Sequence, residues 1–238
     1  MQNRQFRVQP DSPLTARIIV QILKHTISNQ TVNLAEIAEA AGSTSSDVTK
    51  TLDRTLGVND SSTLELQPSH RFKLASEAAK LGALQSVARA LTWQEFEAFG
   101  EECFSRTGFR TQKGVILKDD ARHWQIDIVA RRGQMVLAVD CKHWDSPNYL
   151  SKFNKAAEHQ KQALSLLMQI ERSSQGLHST EWGLPVILTL FDPRTSILND
   201  VVLVSVGQLW DFLNQLTPYD QRLPFITSEL AESPISQR

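Results

Sequence analysis

Apolar residues at Ile18, Ile19, Ile22 and Leu23 recur with helical spacing and predict a helix over about 14–27. Asn33 is a good cap for a short helix over 34–41 that Gly42 would stop. Val48, Leu52 and Leu56 form one stripe and predict a third helix from about Ser43 to Gly57. Residues 63–67 (TLELQ) and 71–75 (RFKLA) alternate, and Pro68, Ser69 and His70 lie between them, so they predict a hairpin. Residues 81–90 read as a helical link. Thr92 with Glu95 is a capping-box pair that starts a helix over 93–105. Strands are predicted at 109–116, 124–130 and 134–142, with Gly133 turning the last two. A long amphipathic helix over 148–170 follows. The runs at 185–191 and 201–205 are continuously apolar, as in strands covered on both faces, and a helix at 206–216 closes the pattern.

This order gives three expected parts: 1–90, an α+β helix-turn-helix unit; 91–216, an α/β unit with a mixed sheet; and 217–238, a surface-following tail. The first part resembles the winged helix-turn-helix family in pattern. On that resemblance Ser45, Ser46, Thr49, Lys50 and Arg54 would face DNA from a recognition helix. Residues 68–71 would form the tip of a wing, with Arg71 as a DNA contact.

Composition leaves this frame in place. At 238 residues, 41% hydrophobic and 21% charged, the chain suits one or two globular domains. Two cysteines in unrelated contexts disfavour a disulfide framework or a cysteine zinc site. Neither a signal-peptide pattern nor a membrane-length apolar run is evident, so a cytoplasmic location and no membrane partner are expected. Net charge is −1, but residues 105–161 hold 11 basic and 6 acidic side chains, a local +5. A polyanion would be drawn to such a field, although solvated faces produce the same clustering.

The chemistry gathers at Asp127 and at Asp140, Cys141 and Lys142. Each group sits in an apolar run that reads as a strand. Period-two alternation turns Asp140 and Lys142 to one side, where Asp127 of the neighbouring strand can face them. Two carboxylates and an ammonium can hold a divalent ion and an activated water, the chemistry that cuts phosphodiesters. An aspartate inside an apolar run is costly unless paired or metal-bound. The alternative for Lys142 is a plain ion pair with Asp140.

Residues 91–97 (LTWQEFE), 124–130 (WQIDIVA) and 139–144 (VDCKHW), in this order, resemble the restriction-endonuclease-like PD-(D/E)xK nucleases. The nearest likeness is to Mrr-like restriction endonucleases and, more distantly, to Holliday junction resolvases. The resemblance implies a mixed central sheet flanked by helices. It implies Mg²⁺, with Mn²⁺ as substitute, held by Asp127, Asp140 and the Cys141 backbone carbonyl. Lys142 would then act on the attacking water. Glu97 would bind a second ion or a metal water, with Glu101 as its rival. Gln125 and Gln160 are accessory candidates, and Gln162 competes with Gln160. His123, His143 and His159 read as surface groups. Ile126 stands where the family has proline, and Asp140 where glutamate is commoner. The implied activity is DNA cleavage by a homodimer. The alternative is a catalytically silent DNA-binding regulator or interaction module on the same fold.

Overall fold

A computed structural model describes residues 13–27, 31–58, 63–119, 122–143, 150–174 and 182–227. Two compact units are formed, Met1–Phe99 and Gly100–Arg238.

In the first unit, α1 (Leu14–His25), α2 (Leu34–Ala41) and α3 (Ser45–Leu56) follow the expected order. Asn33 Oδ1 accepts from the Ala35 and Glu36 N–H groups to start α2, and Gly42 ends it at φ 60°. Thr44 and Asp47 form a capping box for α3. The expected hairpin at 63–75 is corrected. β2 (Thr63–Glu65) pairs antiparallel with β1 (Thr31–Asn33), and Pro68–Ala78 is a helix, α4. Pro68 at the first helical position suits a helix start. Arg71, Leu74, Ala75 and Ala78 are all buried at helical spacing, and that period outweighs the short alternation of 71–75. A wing tip at 68–71 is therefore ruled out.

Arg71, expected to meet DNA, is 5% exposed. Its Nε and Nη2 donate to the Glu95 carboxylate at 2.6 and 3.0 Å. Nη1 donates to Leu23 O at 2.8 Å and to Thr26 Oγ1, and Nη2 donates to Ala90 O at 3.2 Å. The guanidinium thus pins the end of α1 to the start of α6 (Trp93–Arg106), where Thr92 and Glu95 make the expected capping box. Burial works against the Glu95 carboxylate, but the Arg71 and Thr92 hydrogen bonds prevail and hold its pKa below the ordinary value. Between α4 and α6 lie a π-helical turn, Ala79–Ala83, and α5 (Leu84–Arg89).

The second unit is an α/β sandwich around a mixed sheet. β3 (Arg110–Lys118), β4 (His123–Arg132) and β5 (Met135–Lys142) form an antiparallel meander. β5 then pairs in parallel with β6 (Trp182–Thr189), and β6 with β8 (Val201–Ser205). β7 (Ile197–Leu198) pairs beside β8, and β9 (Ile226–Thr227), in the expected tail, pairs with β6. α7 (Leu150–Ser174) covers one face, packing Ala163, Leu164, Leu167 and Met168 on Val129, Val136 and Ala138. From Gly100 on, α6 covers the other face. A Cβ on Gly100 would lie 2.9 Å from Leu188 Cδ2 and 3.9 Å from Cys141 Sγ, so glycine permits the close approach. α8 (Leu209–Gln215) closes the unit. No helix among the described residues is long and apolar enough to cross a membrane.

Candidate active site

The β4–β5 ladder runs from the turn at Gly133 as far as Ile128 opposite Val139. Beyond that pair the strands part. The Cys141 N–H donates to Asp127 Oδ2 at 2.8 Å, so a carboxylate stands in for a backbone carbonyl. Period two also fails at this point. The Trp124 ring lies 5.1 Å from His159 on α7, whereas Ile128, four residues on, meets Gly100 of α6. An unbroken strand would keep Trp124 and Ile128 on one face. The flip between them occurs around Asp127.

On β5, Lys142 Nζ donates to Asp140 Oδ1 at 2.7 Å, and both side chains are largely buried. The meander thus brings Asp127, Cys141, Asp140 and Lys142 to one sheet end. Lys142 takes the ion-pair geometry that was left open. The groups expected to hold an ion are two carboxylates and a backbone carbonyl. Among the described residues no cluster of three His, Cys, Asp or Glu side chains converges on one point. That set fits Mg²⁺, which binds through one or two carboxylates and keeps several waters, and does not suit a protein cage for zinc.

The other candidates divide clearly. Glu97 is half-buried on α6 in the first unit. Its rival Glu101 spends its carboxylate on Thr111 Oγ1 (3.0 Å) and Lys113 Nζ (3.2 Å). Gln125 is exposed on β4. Gln160 on α7 is fully buried, and neither its amide oxygen nor its nitrogen has a partner among the described residues. Gln162 is occupied by Arg122 and Glu158. His123 is exposed, and Trp144 lies outside the described residues. His159 is less peripheral than its surface-group reading: burial lowers its pKa, Asp140 opposes that shift, and Arg122 and Lys142 add to it.

The positive field of 105–161 is partly spent inside the unit. Arg131 pairs with Glu171, Arg106 with Glu102 and Lys161 with Asp200. Arg132 donates to Thr107 O and Leu216 O and stacks over Phe109. Arg122, just ahead of a strand tryptophan, was not singled out from the sequence; its guanidinium lies over the Trp124 ring.

Residues 88–178, which contain Asp127, Asp140 and Lys142, match the family described as restriction endonuclease. This stretch is similar to restriction endonucleases. The restriction-endonuclease-type segment begins in α5 and ends just past α7. An uncharacterised protein of Archaeoglobus fulgidus is 26% identical over 136 residues, covering 57% of this chain and 100% of that one. Two solved structures are similar at lower identity. The crystal structure of a protein of unknown function, AF1548, has 16% identity, a TM-score of 0.31, and coverage of 57% of this chain and 62% of that one. Protein VC1899 from Vibrio cholerae has 12% identity, a TM-score of 0.35, and coverage of 86% of this chain and 55% of that one. The chain therefore spans less than two thirds of either solved protein.

Proposed function

We propose that this protein is a Mg²⁺-dependent endodeoxyribonuclease. The observation that carries the proposal is the parting of β4 and β5 at Asp127, Asp140 and Lys142, inside the restriction-endonuclease-type segment. Asp127, Asp140 and the Cys141 carbonyl would hold the ion. The bound ion supplies Lewis-acid stabilisation of the phosphate and acidifies a water. Lys142 Nζ positions the attacking water and offsets charge on the phosphate oxygens. The Asp127–Cys141 hydrogen bond fixes one carboxylate before substrate arrives, so that geometry need not be organised during the reaction. Gln160 and Gln125 are accessory groups for a phosphate or metal water. Cleavage of both strands would need two copies, so we place the active form as a cytoplasmic homodimer.

Supercoiled plasmid incubated with Mg²⁺ tests the function: nicked and linear products are expected. The closed Lys142–Asp140 pair suits the second reading, a silent DNA-binding regulator. Plasmid left supercoiled under both Mg²⁺ and Mn²⁺ would favour that reading.

Gln160 gives a separate check. A buried amide without partners costs about 1–3 kcal/mol in desolvation. Gln160→Met is expected to raise the melting temperature while lowering cleavage, read by thermal denaturation and plasmid nicking on one sample. A variant that is less stable and fully active would remove Gln160 from the site.

DNA docking is assigned to α3. Ser45, Ser46, Lys50 and Arg54 are exposed along it, and Thr49 is half-buried with its hydroxyl on Ser45 O at 3.0 Å. Each lost phosphate contact lowers the salt slope of duplex binding by about 0.9. Lys50→Ala with Arg54→Ala in the full chain should therefore flatten that slope by about 2 in fluorescence anisotropy. An unchanged slope would move docking off α3.

A further inference from the structure

Arg122 stands just before β4 with its guanidinium carbon 3.5 Å from the centroid of the Trp124 ring. Three hydrogen bonds build the seat. The Arg122 N–H donates to Asp119 Oδ1 at 2.7 Å, and Trp124 Nε1 donates to Asp119 Oδ2 at 2.7 Å. Arg122 Nη2 donates to Gln162 Oε1 at 2.7 Å. Gln162 is itself held by Glu158 of α7. The indole is 5% exposed and flanked by His159, while Arg122 is exposed. Among the described residues no carboxylate pairs with Arg122.

This arrangement differs from that of Arg106, Arg131 and Arg132. Arg106 and Arg131 are matched to acids, and Arg132 is spent on two carbonyls. Arg122 is held flat by an aromatic face and one neutral amide, with the rest of its fork turned to solvent. A planar guanidinium fixed in this way is preorganised for a phosphate, because the ordering cost is met before the ligand arrives. The stack also abuts α7 through His159, whose pKa burial lowers, Asp140 raises, and Arg122 and Lys142 lower. A plain cap on Trp124 would need neither the Gln162 brace nor an unmatched charge.

We propose that Arg122, seated on Trp124 and braced by Gln162, is a phosphate clamp. It holds a non-bridging oxygen of the DNA backbone away from the bond to be cut and governs substrate binding, leaving the chemical step unaffected. The clamp rests on the nuclease reading for its substrate, and the test separates the two.

Fluorescence anisotropy of a labelled duplex is measured in EDTA across a KCl series with the full-length Asp140→Asn chain, in which cutting is expected to be strongly lowered. Adding Arg122→Ala should weaken binding about tenfold at low salt and flatten the salt slope by about 0.9. Arg122→Lys keeps the charge and should keep the slope, with intermediate affinity, because the fork and the stack are lost. In the otherwise native chain, Arg122→Ala should raise KM and leave kcat unchanged. Thermal denaturation should stay within a few degrees of the parent. Identical affinity and slope in all three chains would overturn the clamp, as would a fall in kcat at constant KM or a failure of the Asp140→Asn chain to bind duplex at any salt. If the slope changes as expected while the native chain cuts nothing, the clamp stands and the catalytic reading falls.

Discussion

Asp140→Asn is expected to lower cleavage by about 100-fold or more while leaving the fold intact, because a carboxylate ligand to a catalytic ion is worth several kcal/mol in the transition state. The substitution keeps size and shape but removes the charge that Mg²⁺ would require. It also turns the ion pair with Lys142 Nζ, 2.7 Å away, into a neutral-acceptor hydrogen bond. Lys142 is 26% exposed on its side chain, so its ammonium can turn to water, and the stability cost should stay within about 1 kcal/mol. The split between activity and stability is the informative result. If Asp140 were merely a surface ion-pair residue, stability would move slightly and activity would not move. Initial rates at saturating DNA, with denaturant midpoints on the same preparations, separate the cases. Raising Mn²⁺ should not restore the variant.

The second large effect belongs to the first unit. Arg71→Met should destabilise it by about 3 kcal/mol, as expected when one partner of a buried pair is removed. The Arg71 and Glu95 side chains are 6% and 19% exposed, so solvent screens the pair weakly. Methionine leaves Glu95 with the Thr92 cap alone and strips a donor from the Leu23 and Ala90 carbonyls. The pH dependence follows from the sign of the Glu95 shift. Its folded pKa lies below the ordinary 4.5, so its contribution is complete above pH 4.5 and is lost as pH falls through the lower folded value. Urea denaturation from pH 7 downward should show that acid-side loss in the parent and much less of it in Arg71→Met. Adding Glu95→Gln to Arg71→Met should recover part of the stability. Tighter folding of the single variant, or no change, would mean that Arg71 does not fasten α1, α4 and α6.

Much of the architecture was legible from local signals. Residues 34–41 and 201–205 have the bounds read from the sequence, since Asn33 and Gly42 fix the helix and five consecutive apolar residues fix the strand. The 123–142 hairpin followed from two apolar runs meeting at Gly133. Residues 68–78 were misjudged because Phe72 and Leu74 alternate over a stretch too short to reveal helical spacing, while β1 forms only through a partner thirty residues away. The site was legible in its residue types and less so in its geometry. Nothing local announces that Asp127 replaces a backbone partner for the Cys141 N–H, or that alternation breaks there. The charge excess of 105–161 also misleads when it is counted without its partners. Glu101, Glu102, Glu171 and Asp200 absorb part of it from outside that window.

The most direct measurement of the central claim is cleavage of supercoiled plasmid by the purified full chain in Mg²⁺, with EDTA and Asp127→Asn as controls and end-labelling of the products. The account predicts nicked and linear DNA carrying 5′-phosphates, and no product with EDTA or with Asp127→Asn. Cleavage that survives both controls would contradict it, as would a chain that cuts neither duplex, branched nor single-stranded DNA in Mg²⁺ or Mn²⁺.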